Sequence, residues 1–162
     1  MAGVTTTNSA VVTLPSDTQI LITRVFDAPR QLVYRAYTTP ELIRRWWAGD
    51  RGEVTSAEVD LRPGGSWRYV MIANAGFEVA FHGEYQEIIP GERVVATEIY
   101  EGAPDAAAVT TTTFTERDGR TTLSILVQHI SRENRDLHLN SGMEAGMQES
   151  MNHLELVART LA

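Results

Sequence analysis

Two ionisable side chains interrupt apolar strand patterns, and each could exchange a proton with a bound molecule. His129 continues the inward phase of a strand predicted over 120–130, and Glu98 shares one face of the predicted strand 92–100 with apolar residues. An imidazole or a carboxyl group in such a row can bind a ligand carbonyl or act as a general acid or base. We treat both as catalytic candidates, with the alternative that His129 only hydrogen-bonds the backbone at the mouth of a pocket.

Other kinds of reactive site are not indicated by the residues. The chain has no cysteine, which excludes disulfides, thiolate metal sites and cysteine nucleophiles. Its four histidines are scattered without HxH or HExxH spacing, and no Gly-x-Ser-x-Gly elbow or Gly-rich nucleotide fingerprint occurs. We therefore expect neither a metal nor a cofactor.

A set of aromatic and methionine side chains is predicted to face one interior. They recur at alternate positions of two strands, on one face of the last helix and at the end of an earlier short helix. Rings combined with flexible methionines are typical of pockets for apolar ligands, although a simply filled core has the same pattern. With His129, the ligand-binding candidates are Trp46, Trp47, Trp67, Tyr69, Met71, Phe81, Tyr85, Met143 and Met147.

The charge balance restricts the classes of partner. The 162 residues carry 21 acidic and 14 basic side chains, a net charge of −7. Nucleic-acid binding and attachment to anionic membranes both need clustered Lys and Arg, and no such cluster is present. No signal peptide and no apolar run of about 20 residues is recognisable. We expect a cytoplasmic monomer or homodimer with no nucleic-acid or membrane partner.

The elements that must position the candidates begin after a polar segment. Residues 1–17 are interpreted as a flexible lead-in with a short edge strand at 11–14, and a domain over 18–162 follows. The β-branched segment 18–27 predicts a first strand. Pro29 and Thr39-Pro40-Glu41 are typical helix starts, so two short helices in tandem are expected.

A run of strands and one long helix complete the predicted fold. Turn signals separate six further strands, at 53–61, 65–73, 77–89, 92–100, 109–117 and 120–130. Asp118-Gly119 is the strongest hairpin signal, and the short links predict an antiparallel meander. Helical spacing predicts a last helix at about 142–161, capped by Ser141. An antiparallel sheet and an amphipathic helix must bury their apolar faces on each other, which gives an α+β domain.

Five stretches in register resemble the activator-of-heat-shock-protein-90-ATPase homologue family, in the START-like (SRPBCC, helix-grip) superfamily. They are FDAP at 26–29, TPELIRRWW at 39–47, DLRPGGSWR at 60–68, GEYQEI at 83–88 and SGMEAGM at 141–147. The resemblance implies a curved antiparallel sheet of six to seven strands wrapped around the C-terminal helix, with a cavity between them. Where many relatives carry Gly-Trp, this chain has Gly146-Met147, which should enlarge or soften the pocket wall.

Three functions are compatible with these observations. The first is binding of a small hydrophobic or aromatic molecule, in a stress-related role. The second is an enzyme that cyclises, dehydrates or hydrolyses a hydrophobic substrate in the same cavity with His129, Glu98 and a tyrosine. The third is a chaperone-interacting module, although in the eukaryotic co-chaperone this domain type follows another domain that this sequence does not contain.

Overall fold

The structure, a computed structural model, describes residues 9–162. In this part of the chain the strands are β1 (Val11–Thr13), β2 (Gln19–Phe26), β3 (Gly52–Val59), β4 (Ser66–Ala73), β5 (Glu78–Ile89), β6 (Arg93–Tyr100), β7 (Ala108–Arg117) and β8 (Arg120–His129). The helices are α1 (Arg30–Thr38), α2 (Pro40–Trp46), α3 (Arg132–Leu139) and α4 (Met143–Thr160). The predicted α+β class, with two short helices after the first long strand, is confirmed.

All neighbouring strands are antiparallel, in the order β1-β2-β8-β7-β6-β5-β4-β3. The strands from β3 to β8 form the predicted meander, and the sheet curls around α4. The turn between β7 and β8 confirms the hairpin signal, since Asp118 and Gly119 have φ angles of 54° and 74°, the combination that a two-residue hairpin turn needs.

The sheet has eight strands among the described residues, one or two more than the six to seven expected. The additional strand is β1, which pairs Val11 with Thr23 and Thr13 with Leu21. The short edge strand predicted at 11–14 is therefore found at Val11–Thr13, and the backbone N–H of Ala10 donates to Gln148 of α4 at 3.0 Å. Residues 1–8 of that lead-in lie outside the described residues.

The segment before the last helix differs from the expectation. A short helix, α3, was not predicted, and it begins where the Ser131 hydroxyl accepts from the backbone N–H of Asn134 at 3.0 Å. The predicted cap at Ser141 is wrong, because its hydroxyl donates to the carbonyl of His138 and so completes the end of α3. The last helix instead begins after Gly142, whose φ of 84° suits glycine.

The second half of α4 closes one end of the interior tightly. Val157 and Ala158 are buried there, in one core cluster with Phe26 of β2, Val33 of α1 and Leu123 of β8. A buried ion pair crosses this packing, since the guanidinium of Arg24 lies 3.5 Å from the carboxylate of Glu155.

Candidate ligand-binding cavity

A cavity of about 370 Å³ lies between the inner face of the sheet and the first half of α4. All of the predicted ligand-binding residues except His129 line it. They are Trp46, Trp47, Trp67, Tyr69, Met71, Phe81, Tyr85, Met143 and Met147. The strand parity that placed the aromatic residues on one face therefore describes the wall of this cavity.

Three aromatic rings form one continuous wall. Trp47 follows the last residue of α2 and meets Tyr69 and Phe81 edge to face, with ring centroids 5.4 and 5.6 Å apart. This geometry is favourable for aromatic pairs and fixes the position of the Trp47 ring over β4 and β5. Trp47 is thereby placed at the cavity wall by the sheet as well as by its own helix.

Its neighbour Trp46 packs against α1. The Trp46 ring stacks on Tyr37 with centroids 5.5 Å apart, and its indole N–H donates to the carbonyl of Ala36 at 2.9 Å. Trp46 is almost fully buried. Trp46 thus connects α2 to α1, and Trp47 covers the cavity.

Gly83 does not add space to the cavity. It faces inward, but a Cβ atom there would meet the carbonyl oxygen of Thr97 at 1.8 Å and the indole nitrogen of Trp67 at 2.6 Å. That indole N–H donates to the same Thr97 carbonyl at 3.1 Å. The space beside Gly83 is therefore taken by protein groups, and the glycine allows Trp67 to fold over β5.

Glu98 is the carboxyl group of the cavity. Its predicted inward position is found, and it shares the lining with Val94 and Ala96 of the same strand. Burial raises the pKa of the Glu98 carboxyl from 4.5 to about 7, because the apolar surroundings disfavour its charged form. The group therefore changes charge near neutral pH.

Tyrosine hydroxyls provide further polar atoms. Burial raises the pKa of Tyr37, Tyr69 and Tyr85, so all three are uncharged near neutral pH. Tyr37 has a partner, the Thr112 hydroxyl at 3.4 Å. Besides burial, the neighbouring Tyr85 raises the pKa of Tyr69, whereas hydrogen bonding with Tyr69 acts to lower the pKa of Tyr85. The cavity thus combines rings with a few hydroxyls and one carboxyl group.

His129 lies behind the cavity wall. It is buried, and its Nε2 is 3.0 Å from Nδ1 of His138, the histidine that lines the cavity. Burial, followed by the charge of Arg135, lowers the pKa of His129. Burial, followed by His129, lowers the pKa of His138 to about 4. Any contribution of His129 to a reaction must therefore pass through His138.

The first half of α4 and the loop after α2 form the mouth. Arg51 lines the cavity there with half of its side chain exposed, and its Nε lies 3.4 Å from the Glu149 carboxylate. Gly146 faces Arg51, with 3.6 Å between a Cβ built on it and the Arg51 side chain. Neither Arg51 nor His138 was among the predicted site residues.

The loop at the mouth is fastened to α4. The Ser150 hydroxyl donates to the Trp47 carbonyl at 2.8 Å, and His153 lies 2.9 Å from the Asp50 carboxylate. Gly49 has a φ of 57°, and a Cβ there would meet the Glu149 side chain at 2.9 Å. Only glycine fits this contact, so the sequence at 49 determines how closely the loop approaches the helix.

Across residues 9–162, no group of three or more His, Asp or Glu side chains has an arrangement that could hold a metal ion. None of the helices in that range is both long and apolar enough to cross a membrane.

Comparisons with known proteins agree with this architecture. Solved structures that resemble the chain include a Rhodobacter sphaeroides protein with 23% identity and a TM-score of 0.88, covering 94% of this chain and 99% of that one. A Chromobacterium violaceum protein has 29% identity and a TM-score of 0.77, covering 88% and 98%. The AHSA1-like protein from Aeromonas hydrophila has 19% identity and a TM-score of 0.67, covering 87% and 93%. Among curated proteins no match is found.

The family itself is given by a sequence model. The model described as Activator of Hsp90 ATPase homolog 1-like protein matches residues 27–159, which is most of the chain. These residues run from the end of β2 to the last turn of α4 and include every element that lines the cavity except β2. The chain belongs to the Activator of Hsp90 ATPase homolog 1-like family, with the helix-grip fold of the START-like superfamily.

Proposed function

We propose that this protein binds a small hydrophobic molecule, with an aromatic or other apolar body, in the cavity between the sheet and α4. The observation that carries the proposal is the unfilled space of about 370 Å³ behind Trp47, walled by aromatic rings and methionines. Protein sites for small molecules typically have volumes of about 300–1,000 Å³ and are mostly apolar with a few polar groups. The residues that we expect to contact the ligand are the predicted set without His129.

The methionines support a binding role over a purely structural one. Met143 and Met147 lie on the first half of α4, are only partly buried and border the cavity. Unbranched thioether side chains adjust to different shapes at little cost, which suits a wall that must close on a guest. A helix with only a packing role would be expected to leave no such space. The last turns of α4, around Val157 and Ala158, pack in this way.

Isothermal titration with 1-naphthalenemethanol, a neutral bicyclic probe, tests the proposal. We expect saturable binding by the unaltered protein and a loss of about tenfold or more in Met147→Trp, since the larger ring takes the place of the probe. Leu156→Trp is the matched control, because Leu156 lies on the exposed side of the same helix. Absence of binding to the unaltered protein, or equal binding by Met147→Trp, would refute the proposal.

An enzyme acting on a hydrophobic substrate is the second candidate. Glu98, Tyr85 and His138 face the same cavity, so a single guest could contact all of them. The raised pKa of Glu98, about 7, leaves the carboxyl partly charged near neutral pH, which suits a general acid or base. In this scheme His129 is a positioning residue that orients His138 through their 3.0 Å contact.

Hydrolysis of 1-naphthyl acetate provides a direct assay for this candidate. We expect release of naphthol above the rate in buffer, with a loss of about a hundredfold in Glu98→Gln if the carboxyl is the general base. Equal rates for the unaltered protein and buffer would remove ester hydrolysis as an activity, while leaving the binding proposal intact.

The remaining sequence-based expectations stand as proposals. The cytoplasmic location, the monomeric or homodimeric state, the stress-related role and the division of the chain at residue 17 all come from sequence patterns. A chaperone partner rests on the family name alone. Size-exclusion chromatography and a pull-down with a purified chaperone of the heat-shock-protein-90 class would test the two statements about partners.

A further inference from the structure

The Glu98 carboxyl has no role in holding the fold together. It projects from β6 into the cavity, and within residues 9–162 it makes no hydrogen bond or ion pair. The β5–β6 ladder is also irregular next to it, since His82 pairs with Ile99 and Tyr85 with Ala96 while no pair is formed between them. A carboxyl group without a partner in apolar surroundings is costly, so a structural account of Glu98 is lacking.

Glu155, the glutamate that is fully buried, has partners, whereas Glu98 is only partly buried. Glu155 lies 3.5 Å from the Arg24 guanidinium and accepts from the backbone N–H of Asp27 at 3.0 Å. The same fold thus supplies partners where a carboxylate serves packing. The absence of a partner for the Glu98 carboxyl indicates that a bound ligand supplies the partner group.

The surroundings of Glu98 indicate which chemical group that would be. A carboxylate accepts hydrogen bonds and pairs with cations. The faces of aromatic rings also attract cations, and Trp67, Tyr69 and Tyr85 line the same cavity. The chain's net charge of −7 favours the approach of a positively charged molecule over that of an anion.

We propose that the cavity selects hydrophobic amines, whose ammonium group pairs with the Glu98 carboxylate while the apolar body contacts the aromatic wall. This inference rests on the proposed binding function and specifies its ligand class. It assigns Glu98 as the residue that determines specificity, and it treats the rings and methionines as the general apolar contact surface.

Arg51 is the competing anchor, since it would favour a ligand with an acidic group. Its side chain is half exposed at the mouth and already lies 3.4 Å from Glu149. An anion bound there would remain in contact with water and would leave Glu98 without a partner. The positions of the two groups therefore favour a cationic ligand over an anionic one.

The proposal predicts a specific pH dependence. The ionisable groups that share the cavity with Glu98 are Tyr37 of α1, Arg51 of the mouth loop, Tyr69 of β4, Tyr85 of β5 and His138 of α3. Burial keeps the tyrosines uncharged, and the lowered pKa of His138, about 4, keeps it neutral above pH 6. Glu98 itself loses its charge as the pH falls through about 7, so amine binding should weaken in that range.

Three probes of one size separate the alternatives, namely 1-naphthylmethylamine, 1-naphthalenemethanol and 1-naphthoic acid, each titrated calorimetrically. At about pH 8 we expect the amine to bind about tenfold tighter than the alcohol, and the acid to bind weakest. At about pH 6 the amine should bind about tenfold more weakly than at about pH 8, with the alcohol little changed. In Glu98→Gln the ratio of amine to alcohol affinity should fall to about one.

Glu84→Gln is the matched control. Glu84 is exposed on the neighbouring strand, so this variant removes the same charge from the protein without touching the cavity, and the ratio should stay as in the unaltered protein. If no probe binds, both the binding function and the amine inference fail. If the alcohol binds as tightly as the amine, or the acid binds tightest, only the amine inference is overturned. The pH series on the unaltered protein decides the question even if Glu98→Gln does not fold.

Discussion

The two ends of the space between the sheet and α4 are built differently. Around Val157 and Ala158 the side chains belong to the buried core, and the buried charges of Arg24 and Glu155 are paired. Around Met147 the side chains are only partly buried, and the partly buried carboxyl of Glu98 has no partner among residues 9–162. The same helix and the same sheet thus make a core at one end and a cavity at the other.

This difference separates stability from function within a single domain. Close packing stabilises the folded state, so substitutions at the packed end should cost free energy of unfolding. Open space and an unpaired carboxyl reduce stability and are typical of sites shaped for a ligand. We therefore expect the cavity end to tolerate a larger side chain, and the packed end not to tolerate one.

The largest effect is expected from breaking the ion pair at the packed end. Arg24→Met leaves the Glu155 carboxylate buried without its cation, which should lower the free energy of unfolding by about 3–5 kcal/mol. The double variant Arg24→Met/Glu155→Leu should recover most of that loss, because two apolar side chains replace two charges. Urea denaturation measures both, and a single-variant loss below about 1 kcal/mol would show that the pair is not required.

The second prediction concerns the open end and uses proton linkage. The folded-state pKa of Glu98, about 7, is above its ordinary 4.5, so the folded protein binds this proton more tightly than the unfolded chain. The stabilisation from that proton is complete below pH 4.5 and is lost as the pH rises through 7. It amounts to about 3 kcal/mol over the whole interval.

Subtracting the stability of Glu98→Gln at each pH isolates this contribution. The difference also removes the opposite trend expected from His138, whose lowered pKa, about 4, makes acid unfavourable for the folded state. Denaturation curves at several pH values provide the data. Parallel stability profiles for the two proteins between pH 4.5 and 7 would mean that Glu98 is not in an apolar environment.

The smallest expected effect compares the same substitution at the two ends of α4. Met147→Trp enters the cavity and should change stability by less than about 1 kcal/mol in either direction, whereas Val157→Trp overfills a closed core and should cost about 1–3 kcal/mol. Thermal denaturation measures both. Equal losses for the two variants would indicate that the interior is packed alike along the whole helix.

Local patterns in the sequence were sufficient for most of the fold and for the cavity wall. Alternation along the strands placed Trp67, Tyr69 and Phe81 on one face, and the same rule placed Glu98 among them. These features depend on neighbours within one strand, and the strand period fixes them. The Asp118-Gly119 hairpin was predictable for the same reason, because two residues specify the turn.

Features that depend on contacts between distant segments were missed. The helix α3 is short and polar, so it has no apolar stripe to reveal it, and without it His138 could not be placed at the cavity. Only the structure shows that Trp67 occupies the space beside Gly83, because this contact joins two strands. The pairing of Arg24 with Glu155 did leave a signal, since Arg24 follows Ile20 and Ile22 in the inward row of β2.

Crystallography of the protein under xenon pressure tests the central claim most directly, because xenon enters apolar cavities and is visible in electron density. We predict xenon density between the aromatic wall of β4 and β5 and Met147, and none beside Ala158. A crystal structure in which Trp47 and Met147 meet across the cavity, with no xenon between them, would contradict the account.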